Sequence, residues 1–133
     1  GIGRGQMLSL PSFLEKRRGI HEEYRRRLSG VPGLSLLENP DSRYHSNHWL
    51  TCVQVNPEEA RFDRETLRLA LQKAGVESRP LWKPMHLQPV FRSCPFYGSG
   101  VSDRLFEEGL CLPSGASLAG EDMDRIIDVL LNL

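Results

Sequence analysis

The 133 residues of this chain are enough for one domain with a modest hydrophobic core. Seventeen lysine and arginine residues balance 17 aspartate and glutamate residues, so no net charge attracts nucleic acid or a membrane surface. No apolar run approaches the roughly 18 residues of a membrane-spanning helix, and the first residues lack a signal-peptide pattern. Three cysteines without a CxxC spacing indicate reduced thiols, as in a cytosolic protein.

Helical structure is predicted for most of the first 30 residues. The glycine-spaced stretch Ile2–Ser9 is interpreted as the tail of a helix that begins upstream. Ser9 is a suitable N-cap for a second helix, which tolerates Pro11 in its first turn and ends at Gly30. The apolar face of this second helix has helical spacing and consists of Phe13, Ile20, Tyr24 and Leu28.

The opposite face of this helix is charged. Glu22 precedes Arg26, and Glu23 precedes Arg27, by four residues, which is the favourable order for ion pairs along a helix. The run Arg25–Arg27 could also contact nucleic acid, but no aromatic platform or base-reading motif accompanies it. A solvated helix face with partnered charges is therefore the preferred interpretation.

Short strands and amphipathic helices are predicted for the rest of the chain. The strands are Leu34–Leu37, His48–Val55, Val76–Trp82 and Leu110–Leu112, and the second of them places Trp49 on the same face as Thr51. The helices run from Phe62 to Ala74, from a cap at Ser102 to Gly109, and along a final core face of Met123, Ile126, Ile127 and Leu130. This order predicts an α+β domain with a small mixed or antiparallel sheet of three or four strands and helices mainly on one face.

A proline-rich segment, Glu77–Phe91, carries the most polar chemistry in the chain. Three prolines fix their own φ and push the residue before each of them towards extended conformations, so the segment is predicted not to be helical. Between the prolines lie an indole, a cation, an imidazole and an amide, from Trp82, Lys83, His86 and Gln88. A stiff loop loses little conformational entropy when it holds a ligand, which favours a binding role.

Three interpretations of this loop stay open on chemistry alone. Lys83 beside an indole could be desolvated enough to act as a base or a Schiff-base amine. Lys83 could instead meet an anionic ligand, with His86 and Gln88 as hydrogen-bonding partners. The loop could also be a surface segment without a ligand. The residues by themselves therefore predict an α+β domain with an anion- or sugar-binding loop, and they do not identify the ligand.

Other catalytic and metal-binding patterns are weak in this sequence. His48 and Cys52 share a strand face, but His45 lies in a loop and no second ligand cluster completes a tetrahedral set, so no metal site is predicted. Ser114 before a glycine lacks the GxSxG context of an activated serine. The segment Gly98–Gly100 lacks the lysine of a phosphate-binding P-loop.

Four segments carry a family resemblance. Arg79–Phe91 (RPLWKPMHLQPVF) and Leu105–Gly115 (LFEEGLCLPSG) resemble the C-terminal part of the DegT/DnrJ/EryC1/StrS family, the pyridoxal-phosphate-dependent nucleotide-sugar aminotransferases. Ile2–Gln6 is similar to the long helix after the family's phosphate-contacting segment, and Ser46–Thr51 to its first small-domain strand. The resemblance implies the small C-terminal domain of a fold-type I aminotransferase.

The family's catalytic residues have no counterparts in this chain. Its Schiff-base lysine, the aspartate at the pyridine nitrogen and the aromatic ring over the cofactor lie in the large N-terminal domain, and Lys16, Lys73 and Lys83 do not match that lysine motif. The resemblance thus implies residues 1–9 as an inter-domain helix remnant and 10–133 as one domain, with the catalytic domain absent. We expect no catalytic residue, no covalent binding of pyridoxal phosphate and no activity of the chain alone. The alternative is a stand-alone, non-catalytic module that binds a ligand or a partner.

The resemblance also implies what the parent enzyme does. Such enzymes transfer an amino group from glutamate to a keto sugar on a nucleotide diphosphate, with the cofactor as electron sink. The motif RPLWKPMH is most similar to enzymes that make 4-amino-4,6-dideoxy-N-acetylhexosamines on UDP for bacterial surface and pilin glycans, which implies a UDP-4-keto-6-deoxy-N-acetylhexosamine substrate. Perosamine-type enzymes on GDP sugars are the near alternative. A cytoplasmic bacterial homodimer is implied for the parent, with no nucleic-acid or membrane partner.

By the same resemblance, the proline-rich loop borders the sugar-nucleotide site. Lys83 or Arg79 would meet the diphosphate and Trp82 would pack against sugar or base. The complete set of expected substrate-binding residues is Arg4, Arg79, Trp82, Lys83, His86 and Gln88. The surface that packs on the large domain is expected to be apolar and exposed, and to include Ile2, Met7, Leu8 and Leu10.

Overall fold

The computed structural model describes residues 1–133 and begins with one long helix, α1 (Ile2–Leu28). The expected start of a second helix at Ser9 is wrong, because the 27 residues of α1 form a continuous helix with Pro11 inside it. This part of α1 is exposed, so water can satisfy the carbonyl that Pro11 leaves without a donor. No helix of the structure is long and apolar enough to cross a bilayer.

A four-stranded sheet forms the centre of the fold. Its strands are β1 (Leu34–Leu36), β2 (Thr51–Val55), β3 (Arg79–Pro80) and β4 (Gly109–Leu112). They lie in the order β1-β2-β4-β3, and every neighbouring pair is antiparallel. The expectation of a small α+β domain with three or four strands is confirmed.

The remaining helices are α2 (Pro57–Ala60), α3 (Arg64–Lys73), α4 (Val101–Glu108) and α5 (Gly120–Leu131). The predicted core face of α5 is confirmed, since all four of its residues are buried. Helix α3 begins two residues later than predicted because Asp63 caps it, accepting a hydrogen bond from Thr66 N at 2.8 Å. Helix α4 begins after Gly100 rather than with a Ser102 cap, and it ends at Gly109 as predicted. The short helix α2 was not predicted.

The hydrophobic core lies on one face of the sheet. Val53 and Val55 are buried there together with Thr51, and they pack with side chains of α1, α3 and α5. Gln54 points to the opposite face, where its Nε2 donates to Glu108 Oε2 of α4 at 2.5 Å. Three helices therefore cover one face of the sheet and one short helix covers the other.

Three strands are shorter than the sequence predicts, β1 by a single residue and β2 and β3 by more. Strand β2 begins at Thr51, not His48, because His48 has a left-handed φ of 44°, which turns the chain out of the sheet. Trp49 is consequently exposed rather than on the buried face with Thr51. Strand β3 has only two residues, since Pro80 lacks the N–H that would extend the ladder and is tolerated only at an edge.

The proline-rich segment contains two short 3₁₀ turns, Met85–Leu87 and Pro89–Phe91. The prediction that it holds no helical structure is wrong for these six residues. A proline is tolerated at the first position of a helical turn, where it donates no hydrogen bond, and it restrains only the residue before it. Pro84 lies directly before the first turn, and Pro89 is the first residue of the second turn.

Candidate functional site

A cleft with a volume of about 680 Å³ lies between the β3 segment, the end of β4 and helix α5. The chain reaches it from four separate places in the sequence. Its aromatic and polar lining includes Trp49, Arg79, Trp82, Ser114, Asp122 and Arg125. A concave site of this size with a few convergent polar groups is typical of a ligand-binding site.

Two tryptophans give the cleft an aromatic wall. The ring centroids of Trp49 and Trp82 are 6.2 Å apart with an interplanar angle of 39°. Both side chains stay largely exposed, at 60% and 67%. Large exposed aromatic surfaces grouped in a cleft are suited to packing against the face of a base or a sugar ring.

Helix α1 fixes the backbone of Trp49, which the sequence did not reveal. The guanidinium of Arg17 donates from Nη1 to Trp49 O at 2.5 Å and to Ser114 O at 3.2 Å. The imidazole of His48 stacks on buried His21 of α1, with centroids 3.7 Å apart. Burial, and then the neighbouring His21, lower the pKa of His48. Sequence analysis missed Arg17 because its partners are 32 and 97 residues away and are backbone carbonyls.

Two guanidinium groups line the cleft, each beside a carboxylate that also lines it. Arg79 donates to Glu77 Oε1 from Nε at 2.9 Å and from Nη2 at 2.5 Å, and its side chain is 79% exposed. Arg125 lies 3.7 Å from Asp122, a looser contact. Because these ion pairs are exposed and weak, both guanidiniums can exchange their carboxylate for a phosphate.

Of the expected substrate-binding residues, only Arg79 and Trp82 line this cleft. His86 turns away from it, with Nε2 2.7 Å from Asp103 Oδ1 of α4 and its ring stacked on Phe96 at a centroid distance of 3.6 Å. Gln88 donates from Nε2 to Lys83 O at 3.2 Å and so closes the loop on itself. The structure therefore divides the proline-rich segment into a cleft part and a part that packs on α4.

Arg4 lies on the exposed first turn of α1 and does not line the cleft. The cleft lining also contains no lysine. Covalent attachment of pyridoxal phosphate needs a lysine amine, so the residues of this cleft do not fit that group. The cleft therefore offers binding surface but no lysine to which the cofactor could be attached.

Comparison with known proteins identifies the family of the chain. The model of the DegT/DnrJ/EryC1/StrS aminotransferase family matches residues 1–131, and this protein belongs to that family. The chain spans about a third of the length of the curated relatives that it matches.

Several relatives and solved structures are similar over nearly the whole chain. EpsN of Bacillus subtilis (strain 168), whose name describes a pyridoxal phosphate-dependent aminotransferase, is 34% identical over 100% of this chain and 34% of its own. GDP-perosamine synthase of Vibrio cholerae is 26% identical over 98% of this chain and 35% of its own. The aminotransferase TlmJ of Streptoalloteichus hindustanus is 28% identical with a TM-score of 0.85, over 98% of this chain and 34% of its own.

Proposed function

We propose that this chain is the small C-terminal domain of a pyridoxal-phosphate-dependent sugar aminotransferase and that its cleft holds part of a nucleotide-sugar substrate. The observation that carries the proposal is the combination of the family match over residues 1–131 with a cleft that pairs two exposed indoles with two guanidiniums. Residues 1–9 would lie between the two domains of the parent enzyme and 10–133 would form the domain itself.

The lining chemistry suggests a role for each group. The Trp49 and Trp82 rings would pack against the base or the sugar, and Arg79 would meet the diphosphate after releasing Glu77. Lys83 is exposed one residue beyond Trp82 and would extend the positive charge. His86, Gln88 and the 3₁₀ turns would keep the loop rigid beside the substrate, so that little entropy is lost on binding. Arg4 would contribute only in the assembled parent enzyme.

The reaction we propose for the parent enzyme is amino transfer from glutamate to a nucleotide-linked 4-keto sugar. A UDP-4-keto-6-deoxy-N-acetylhexosamine, used for a surface or pilin glycan, is the substrate we favour. GDP sugars are the alternative, since relatives from Vibrio cholerae and Caulobacter vibrioides are named GDP-perosamine synthases. The bound cofactor would supply the electron sink. The parent would be a cytoplasmic homodimer, and this chain alone would be inactive.

Binding of UDP and GDP to the chain tests the cleft. We expect both nucleotides to quench the tryptophan fluorescence in a saturable way, and we expect UDP to bind with the higher affinity. Trp82→Ala should weaken UDP binding roughly 5- to 150-fold, because stacking of one base on an aromatic ring is worth about 1–3 kcal/mol. Calorimetric titration of both proteins measures the change.

The matched control is Tyr97→Ala, which removes an aromatic side chain that is 93% exposed and outside the cleft. This variant should bind UDP as the unchanged chain does. Equal affinity of Trp82→Ala and the unchanged chain, or the absence of nucleotide binding altogether, would contradict the placement of the nucleotide in this cleft.

A further inference from the structure

Two of the three cysteines face each other across the centre of the sheet. Cys52 of β2 and Cys111 of β4 are directly opposite in the antiparallel register. Their Sγ atoms are 3.8 Å apart, and both thiols are free. The third cysteine, Cys94, is exposed in a loop.

The backbone pattern places this pair at the position where two strands come closest. The carbonyl of Cys52 accepts from Leu37 N at 2.9 Å, so the polar backbone groups of Cys52 point to the β1 side. The Cys52–Cys111 pair is therefore a non-hydrogen-bonded pair of β2 and β4, a type with Cα atoms about 4.5 Å apart. Disulfides span Cα distances of about 4.4–6.8 Å, which includes this value.

The two thiols differ in burial and in the direction of their pKa shifts. Cys52 is half-buried and Cys111 is buried. The hydrogen bond between them and burial raise the pKa of Cys52, while the same hydrogen bond lowers the pKa of Cys111. A thiolate at Cys111 is thus stabilised by the Cys52 thiol beside it, and the thiolate is the reactive form of cysteine.

We propose that Cys52 and Cys111 form an oxidant-sensitive dithiol that hydrogen peroxide converts into a disulfide across the two central strands. The sulfurs must approach from 3.8 Å to about 2.05 Å, which side-chain rotation and a small strand movement provide. Cys111 also lines the cleft, but the dithiol proposal rests on the register of β2 and β4 and not on which ligand the cleft holds.

The chemistry balances with peroxide as the oxidant. The Cys111 thiolate attacks one peroxide oxygen, the O–O bond breaks, and the leaving hydroxide takes up a proton to become water. The Cys52 sulfur then attacks the Cys111 sulfenic acid, the S–O bond breaks, and a second water leaves with the proton of the Cys52 thiol. Two thiols lose two electrons and two protons, and one peroxide is reduced to two waters.

Tryptic peptide mapping tests the proposal directly. Cleavage at arginines separates the cysteines into peptides 44–61, 93–104 and 105–125. The folded chain is treated with a small excess of hydrogen peroxide, alkylated, digested without reductant and analysed by mass spectrometry. We expect peptide 44–61 linked to peptide 105–125 as the main oxidised species, while Cys94 is recovered mostly alkylated. Dithiothreitol should release both peptides.

Two controls make the result specific to the fold. Cys94→Ser should give the same linkage, while Cys52→Ser and Cys111→Ser should remove it. Oxidation of the unchanged chain in 8 M urea, on the order of the concentration that unfolds small domains, should scatter linkages among all three cysteines, which shows without any variant that the sheet selects the pair. Alkylation of Cys52 and Cys111 after peroxide treatment, or linkage mainly to Cys94 in the folded chain, would overturn the proposal.

Discussion

Two side chains of α1 form hydrogen bonds with the backbone just after β4. The hydroxyl of Tyr24 is fully buried and donates to Pro113 O at 2.9 Å, and Arg17 donates to Ser114 O one residue later. Ser114 Oγ in turn accepts from Thr51 N at 2.8 Å and donates to Leu112 O at 3.0 Å. Apart from the Ser114–Leu112 bond, these bonds join residues that are far apart in the sequence, and together they hold the backbone beside the cleft in place.

Replacing Tyr24 with phenylalanine tests the value of one such bond. Because the Pro113 carbonyl would lose its partner inside the protein, Tyr24→Phe should lower the free energy of unfolding by about 1–2 kcal/mol. Urea denaturation followed by circular dichroism measures this difference. Tyr97→Phe removes an exposed hydroxyl and should change stability by less than about 0.5 kcal/mol. Equal stability of the two variants would show that the buried hydroxyl contributes nothing.

Glu23 makes the stability of the chain sensitive to acid. It accepts from Arg26 Nη2 at 2.7 Å and from Arg27 Nε at 2.6 Å, and these arginines lower its pKa from 4.5 to about 2. A carboxyl with a lowered folded-state pKa stabilises the fold above its unfolded pKa of 4.5, and this contribution is lost as pH falls towards 2. In Glu23→Gln, the loss of stability between these two pH values should be smaller.

The control for Glu23→Gln is Glu15→Gln, at an exposed position of the same helix without an ion pair. Urea unfolding at a series of pH values between about 2 and 6 compares the three proteins. The Glu15→Gln curve should parallel that of the unchanged chain. A Glu23→Gln curve that also parallels it would contradict the assignment. Because water reaches Glu23 and both arginines, whose side chains are 29% to 65% exposed, the expected difference is small and falls further at high salt.

At the scale of elements, α4, β4 and the residue after β3 pack closely around Gly109. Gly109 is the C-cap of α4 and the first residue of β4, and Leu81 N donates to its carbonyl at 3.2 Å. A Cβ at Gly109 would lie 2.0 Å from Leu81 Cδ1 and 2.4 Å from Leu105 O. Its φ of −92° is open to any residue, so close packing alone requires glycine.

Gly109→Ala should therefore lower the free energy of unfolding by about 2 kcal/mol or more, because the helix carbonyl cannot move away as a flexible side chain would. Gly120→Ala is the matched control at the start of α5, where nothing lies within 4 Å of the added Cβ. It should be neutral or stabilise by up to about 1 kcal/mol. Thermal unfolding of both variants measures the contrast, and a neutral Gly109→Ala would contradict the close contact.

At the scale of the whole molecule, the first half of α1 is an unusual surface. Ile2 is 84% exposed, Leu8 is 82% exposed, and Met7, Leu10 and Phe13 are also exposed. The expected exposure of an apolar patch at this end of the chain is confirmed. In the proposed parent enzyme this patch would pack against the large domain, and in the chain alone it is free to pack against a second copy.

The chain alone should therefore self-associate as its concentration rises. Leu8→Glu should shift sedimentation velocity profiles towards the monomer, because it places a charge in the middle of the patch. Leu69→Glu, at a half-exposed leucine of α3 outside the patch, should associate as the unchanged chain does. A clean monomer of the unchanged chain at all concentrations would contradict this prediction.

The sequence by itself predicted the elements whose signals are local. The core face of α5, the end of α4 at Gly109 and an antiparallel or mixed α+β arrangement all follow from periodicity and punctuation within a few residues. The family resemblance also came from continuous segments, chiefly Arg79–Phe91 and Leu105–Gly115. Errors fell where local rules compete, as at Pro11 within α1 and in the 3₁₀ turns of the proline-rich segment.

Only the tertiary structure brought distant residues together. The pairing of Trp49 with Trp82 in one cleft depends on the turn at His48 and on the hydrogen bonds of Arg17 in α1. No sequence pattern predicts this turn or these hydrogen bonds. The separation of His86 from that cleft depends on its contact with α4. The Cys52–Cys111 pair depends on strand register, since a shift by one residue would move either thiol to the other face of the sheet.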